Sequence, residues 1–337
     1  MATSTAPRPV RETTMHAIVQ DTYGTAEVLH LAEIVRPAIA ADEVLVQVRA
    51  AGVSRGTWHL MTGQPYLMRV IGFGLRRPKN PVAGQDMAGV VVEVGSDVTR
   101  FEAGDEVFGI ARGAFAEYAA APQDKLAHKP AGISFAEAAV APVSAITALQ
   151  ALRDRGRVEA GQQVLVIGAS GGVGTYAVQL AKVFGAHVTG VSSTAKADLV
   201  QRLGADHVVD YTREDFADGN GRYDLILDIG GNSSLFRLRR ALQPAGTLVI
   251  VGGEEGGKLA GGFSRTLRAP LLSLFVSQRL AMHTTKEHYA DLDVLRPLLE
   301  DGSITSAIDT NYPLAETPAA MRHLEAGQAR GKIAITV

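Results

Sequence analysis

The spacing of apolar and polar positions changes character twice along this chain. In the first third, short β-branched runs at 16–20 (HAIVQ), 43–49 (EVLVQVR) and 88–95 (AGVVVEVG) are separated by Gly, Pro and Asp, and several alternate polar with apolar. That is the pattern of half-buried antiparallel strands, and segments 104–109 and 113–118 continue it. From about Phe135 the texture becomes Ala-rich helix, at 136–140 and 145–152. Beyond that, apolar runs at 164–167, 187–191, 207–209, 224–228 and 247–251 alternate with helical patterns at 176–182, 195–203 and 235–242. Repeated β–α units predict a parallel sheet with right-handed crossovers. Near-continuous apolar strands predict burial on both faces.

The predicted fold class is therefore α/β, a doubly wound parallel sheet beside a β-rich domain. The tail, with patterns at 292–300, 304–309 and 332–337, is expected to rejoin the N-terminal part. This gives one domain from 1–136 with 286–337 and a second, inserted domain over 137–285, with a cleft between them.

The most informative stretch is 164–174, VLVIGASGGVG, which opens into the helical pattern YAVQLAK. A strand, a glycine-dense turn and a helix start in that order make an anion site, because backbone N–H groups converge there at the positive end of the helix dipole. Glycine permits the turn and lets a pyrophosphate approach without meeting a Cβ. Ala169 stands where the first glycine of the dinucleotide fingerprint G-x-G-x-x-G is expected, while Gly171 and Gly174 fill the other two positions. Ser170, Gly171, Gly172, Val173 and Gly174 are the predicted phosphate-binding residues.

Composition narrows the field. The 337 residues, 46% hydrophobic, suffice for two domains. A formal charge of −2 argues against a nucleic-acid partner. The absence of cysteine excludes disulfides, thiolate nucleophiles and cysteine-ligated zinc. Residues 1–14 lack an apolar core and read as a loose tail rather than a signal peptide. The run at 270–276 is too short to span a bilayer. A cytoplasmic protein without membrane partners is the expectation.

Five segments in order resemble the medium-chain dehydrogenase/reductase superfamily, in particular its zinc-free quinone oxidoreductase branch. They are Ala50-Ala51-Gly52-Val53-Ser54, then Gly84-Gln85-Asp86-Met87-Ala88-Gly89 leading to Val94-Gly95, then Gly104-Asp105-Glu106-Val107. Ala169-Ser170-Gly171-Gly172-Val173-Gly174 and Leu203-Gly204-Ala205-Asp206 complete the set. The resemblance implies a Rossmann dinucleotide domain and a GroES-like catalytic domain. Zinc-dependent relatives carry metal ligands at the positions of Ser54, Gln85 and Val143; three neutral, poor ligands there imply a metal-free member. Without a Lewis acid, the accessible chemistry is hydride delivery to an acceptor polarised by conjugation, a quinone or an α,β-unsaturated carbonyl.

The cofactor implied is NADPH. No acid follows Gly190-Val191, where Ser192 and Ser193 stand, and hydroxyls tolerate a 2′-phosphate that a carboxylate repels. Lys196 and Tyr211 match residues of NADPH-binding relatives, although each also reads as an ordinary surface residue. Gly252, ending the fifth predicted strand, and the C-terminal base Arg330, with Lys332 as its neighbour, complete the cofactor set.

On the substrate side the resemblance points to Ser54, in place of an asparagine, to Thr147, matching a threonine that faces the nicotinamide, and to Tyr66. Tyr66 resembles the proton-donating tyrosine of enoyl-thioester reductases, and otherwise reads as an aromatic lining the cleft. His59 reads as structural. Residues 64–81, carrying Arg69, Arg76, Arg77 and Lys79, read as a lid or a solvated excursion. A homodimer is expected. The readings that compete with quinone or enone reduction are a carbonyl or alcohol dehydrogenase, an enoyl-thioester reductase, and a cofactor-binding protein with a regulatory role.

Overall fold

In a computed structural model, the structure describes residues 13–217, 223–252, 269–273 and 275–337. Of the N-terminal tail, 1–12 lie outside the described residues, as does Leu274 of the apolar run at 270–276.

The first third forms strands β1 (Thr14–Val19), β2 (His30–Val35), β3 (Glu43–Val53), β4 (Asp86–Val94), β5 (Glu106–Ile110), β6 (Tyr118–Pro122) and β7 (Leu126–His128). β1 and β2 pair as an antiparallel ribbon. β3, at eleven residues, is the spine: it pairs antiparallel with β4 along nearly its whole length, from Val44 to Gly52, and with β6 along its first half. Its buried face (Val44, Val46, Val48, Ala51, Val53) packs on Val91, Val107 and Phe115 to form the core of this domain. Gly89 lies against the β3 backbone: a Cβ there would come 2.1 Å from Gln47 O.

Strands β8 (Gln163–Ile167), β9 (His187–Ser192), β10 (His207–Asp210), β11 (Tyr223–Asp228), β12 (Leu242–Ile250) and β13 (Arg279–Met282) follow. Among the described residues they form one sheet in the order β10-β9-β8-β11-β12-β13, every neighbouring pair parallel. The order reverses beside β8, and a doubly wound sheet opens its ligand crevice at the carboxyl ends next to such a reversal. The helix Gly172–Val183 follows β8 and buries Tyr176, Ala177, Leu180 and Ala181.

The tail pairs with the first sheet. β14 (Ile308–Pro313) pairs with β15 (Lys332–Thr336), and β15 pairs antiparallel with β3. Strand β14 begins later than the pattern at 304–309 predicts, because Ile304 is spent as a fully buried core residue. β13 was not legible; it is four residues long, lies on the sheet edge and buries only Leu280.

One core cluster joins the two halves. Ala50, Ala88 and Phe108 from the first sheet pack with Ile146 and Leu149 of the helix Pro142–Gln150 and with Val164 and Val166 of β8. Each fully buried large aliphatic side chain contributes about 1.5–3 kcal/mol, so this continuous cluster fixes the two sheets about a shared helix. The cleft lies beside that helix.

Candidate active site

The glycine turn shows how the chain accommodates Ala169 in the fingerprint. Gly168 takes φ +84°, and a Cβ on Gly174 would lie 2.1 Å from Gly168 O, so the turn closes directly on the helix backbone. Gly171 N–H donates to Gly168 O at 3.1 Å. Ala169 is accommodated by Gly190 on β9, where an added Cβ would come 3.1 Å from Ala169 Cβ. The helix N-cap, Gly171, has no side-chain cap, which leaves the first-turn N–H groups of Gly172, Val173 and Gly174 for a ligand. A pyrophosphate fits this cradle, where the glycines keep side chains away. Gly252 closes the far side of the switch point: its N–H donates to Asp228 O at 3.1 Å, and a Cβ there would meet Ile229 O at 2.0 Å.

The C-terminal segment crosses over the mouth of the dinucleotide crevice. Gly331 N–H donates to Ser170 O (2.9 Å), and Lys196 Nζ donates to Gly327 O (2.7 Å) and Ala329 O (2.8 Å). Arg330 forms a bidentate pair with Asp198, which also binds Arg202. Those two guanidiniums, Arg202 first, hold the Asp198 carboxyl below the usual range. Lys196 and Arg330 therefore stand on one rim with Ser192, Ser193 and Tyr211, whose N–H donates to Ser192 O at 3.1 Å. Ser192 Oγ donates to Ser193 O at 3.3 Å, and the Tyr211 ring is 60% exposed.

Sequence reasoning missed an acid here. Asp210 lies directly across from Ser192 in the β9–β10 register. Its carboxylate accepts from the Thr194 hydroxyl, from Thr212 Oγ1 (2.7 Å) and from Thr212 N (3.0 Å), and Arg213 stands 3.8 Å away. These donors, Thr194 first, hold it below the usual carboxylate range. The signal could be read only by pairing the ends of neighbouring strands.

A cavity of about 370 Å³ lies beneath the segment 64–81, lined by Gly56, His59, Leu60, Pro65, Met68, Phe73, Gln85, Val143 and Glu287. A second, of about 210 Å³, adjoins it and shares Leu60, Phe73 and Gln85. Two of the three vacated metal positions, Gln85 and Val143, thus face the larger space. A hydroxyl, a carboxamide and an isopropyl group do not fit zinc.

The three substrate-side candidates are all engaged with protein. Ser54 caps the helix Arg55–Thr62, accepting from Thr57 N at 3.3 Å. Thr147 Oγ1 donates to Val143 O at 2.6 Å, one helical turn from the cavity wall. The Tyr66 ring stacks on the Arg69 guanidinium, 4.5 Å from its centroid, while Tyr23 covers the other partner position at 4.2 Å. Arg69 in turn donates to Gly63 O and Thr62 O, tying the segment 64–81 back to the end of the helix Arg55–Thr62. At the wall, His59 Nδ1 donates to Gln64 O at 2.7 Å and Lys125 Nζ donates to Glu287 at 2.8 Å.

Two further groups stand out, and the first turns Lys332, a cofactor candidate by sequence, inward to the protein. Asp86 is fully buried; its Oδ1 accepts from Val143 N (3.0 Å), and Lys332 Nζ, also buried, donates to Ser144 Oγ (2.9 Å) beneath Gly172. Burial pushes the Asp86 carboxyl up to about 7 against the pull of Lys332, and burial likewise lowers Lys332. The second group is a chain of hydroxyls. Because Thr147 donates its only proton to Val143 O, Thr285 must donate to Thr147 (2.8 Å), and His283 Nε2–H must donate to Thr285 (3.2 Å). The imidazole is thereby the Nε2–H tautomer, and burial, reinforced by Arg155, lowers its pKa to about 4.

Two family descriptions match: an alcohol dehydrogenase GroES-like domain over residues 40–131 and a zinc-binding dehydrogenase over 203–335. The mitochondrial NAD(P)H oxidoreductase RTN4IP1 of Mus musculus is 33% identical over 97% of this chain and 90% of its own length. The chain belongs to the medium-chain dehydrogenase/reductase superfamily. Within that superfamily it is also similar to the 2-methylene-furan-3-one reductase of Solanum lycopersicum, 33% identical over 93% of this chain and 76% of the relative. Among solved structures, the quinone oxidoreductase of Escherichia coli complexed with NADPH superposes with a TM-score of 0.81 at 26% identity, covering 96% of this chain and all of that one. The Rossmann sheet and the GroES-like domain expected of a superfamily member are both present. Among the described residues no helix is long and apolar enough to cross a membrane, and no cluster of three or more His, Cys, Asp or Glu could hold a metal ion.

Proposed function

We propose that this protein is an NADPH-dependent reductase that reduces quinones or α,β-unsaturated carbonyls without a metal. The observation that supports this lies at the cavity: Gln85 and Val143 line it and Ser54 caps the helix beside it, a set of side chains that does not fit zinc. The relatives' names, an NAD(P)H oxidoreductase and a furanone reductase, support the same chemistry. When bound, the reduced nicotinamide supplies a hydride; an acceptor already conjugated to its carbonyl spreads the incoming charge without metal assistance.

The chain's own residues divide the remaining work. The N–H groups of Gly172, Val173 and Gly174, with Ser170 and Gly171 beside them, form the pyrophosphate cradle. Ser192, Ser193, Lys196, Tyr211 and Arg330 form the rim for the 2′-phosphate, and Gly252 lets the end of β12 close on Ile229 beside the cofactor crevice. Thr147 holds the Val143 wall in place, Ser54 fixes the helix on which Gly56 and His59 stand, and Tyr66 braces the lid through Arg69. The lid and Phe73 exclude water from the reacting centre.

The organisation we propose is a catalytic domain of 1–136 with 286–337 and a cofactor domain of 137–285. A homodimer formed by pairing of the β13 edges is part of the same reading; Phe275, which precedes β13 in sequence, is 84% exposed. A cytoplasmic site of action belongs to it as well, testable by fractionation, although RTN4IP1 is named as mitochondrial. The deciding experiment is NADPH oxidation against a panel of quinones and enones with and without chelator. Turnover unaffected by chelator is expected. Chelator-sensitive oxidation of simple alcohols, or tight NADPH binding with no turnover on any acceptor, would overturn it.

A further inference from the structure

The polar groups around the cavity differ in one respect that bears on catalysis. His59, Glu287, Thr147 and Ser54 each have a protein partner. The side-chain amide of Gln85 has none among the described residues, although the residue is half-buried and lines both cavities. A primary amide has two N–H donors and a carbonyl acceptor, and those of Gln85 open to the cavities, where a ligand can take them up.

Gln85 is also rigidly mounted. Its carbonyl accepts from Ala111 N at 2.9 Å, Asp86 beginning β4 follows it, and Gly84 before it takes φ +93° against Phe115. Its amide end reaches over Gly56: a Cβ there would lie 3.1 Å from Oε1 and 3.5 Å from Ser54 Oγ. Gly56 sits in the first turn of the helix Arg55–Thr62, whose positive end favours the amide oxygen toward it. The NH₂ is then the end left for a ligand.

We propose that Gln85 is a catalytic residue whose side-chain N–H binds the carbonyl oxygen of a conjugated ketone at the junction of the two cavities. The conjugated arm then occupies the larger space and the second carbon arm the smaller one, so a ketone fits better than the matched aldehyde. This rests on the proposed reductase function. As a hydride from the reduced nicotinamide forms a C–H bond at the β-carbon, the C=C π pair moves and negative charge builds on the carbonyl oxygen. Gln85 N–H meets that charge. A proton from water then closes the α-carbon, and the nicotinamide departs oxidised. A preorganised donor of this kind is worth about 10²-fold or more in rate.

The test is Gln85→Met, which keeps length and loses both donors. In complexes of the protein with oxidised cofactor and an enone, the infrared carbonyl band is expected at lower frequency in the wild type than in Gln85→Met. kcat/KM on that enone should fall about 10²-fold, with NADPH affinity and Tm unchanged. The wild type should prefer an alkenone over the alkenal of equal conjugated length. Full turnover and an unmoved carbonyl band in Gln85→Met overturn the assignment of Gln85 alone. A preference for the alkenal removes the two-cavity placement. Wild-type protein that binds NADPH but reduces no conjugated carbonyl brings down the reductase function and this assignment together.

Discussion

Lys332 Nζ lies 4.0 Å from Asp86 Oδ2, both side chains sealed from solvent, with no hydrogen bond between them. Lys332 comes from the last strand, Asp86 from the start of β4, and Ser144, which accepts from Lys332, from the helix shared by the two sheets. The pair therefore ties together three elements that meet beneath the glycine turn.

Removing one member of this pair leaves the other charge buried alone, which costs about 3–5 kcal/mol, whereas removing both is much milder. Lys332→Met should lower stability steeply, and adding Asp86→Asn should recover most of the loss in denaturant titrations. The pH dependence has a definite sign. Because burial raises Asp86 to about 7, its contribution is fully present below the ordinary carboxyl pKa and is lost as pH rises through 7. The Tm of the wild type relative to Asp86→Asn should therefore decline between pH 4 and 8.

His283 gives the opposite dependence. Its pKa is depressed to about 4 by burial and Arg155, with Asp154 opposing, so its contribution is present above the ordinary histidine pKa. That contribution is lost as pH falls from about 6.5 toward 4. The wild-type Tm should drop across that window more than that of His283→Gln. Nitrogen NMR should show the Nε2–H tautomer at neutral pH; the Nδ1–H form would break the hydroxyl chain inferred for Thr147 and Thr285.

Lys196 and Arg330 should discriminate the cofactors. Replacing either with Ala is expected to weaken NADPH binding by about tenfold, about 1.4 kcal/mol, while leaving NADH within about twofold. Calorimetric titration with both nucleotides checks this. An equal loss for the two would make these bases mere ties for the segment 327–332.

Tyr66 acts through its ring. Tyr66→Phe keeps the stacking on Arg69 and should leave turnover within about twofold, whereas Tyr66→Ala removes the ring's cation–π contact, worth about 0.5–1 kcal/mol. The KM for the acceptor should rise in Tyr66→Ala as the lid loosens. A sharp fall in kcat for Tyr66→Phe would instead restore the hydroxyl as a proton donor.

Several parts of this protein were legible because they depend on neighbours in sequence. The alternation at 43–49 gave β3, the continuous apolar runs gave the central parallel strands, and the glycines at 171 and 174 gave the turn. Other parts were not legible, because they depend on which strand ends meet. Nothing near Ser192 in sequence announces Asp210, and nothing near Ala169 announces that Gly190 makes room for it.

The sequence by itself determined the two sheet types, the phosphate cradle and the loss of the metal donors, since period, backbone freedom and ligand chemistry are local properties. Only the tertiary structure decided which polar groups remain available. Ser54, Thr147 and Tyr66 carry plausible chemistry in any alignment, but folding ties each of them to a partner. It leaves Gln85 at the junction of two cavities with its amide unmet, and whether a polar group is satisfied depends on everything that surrounds it.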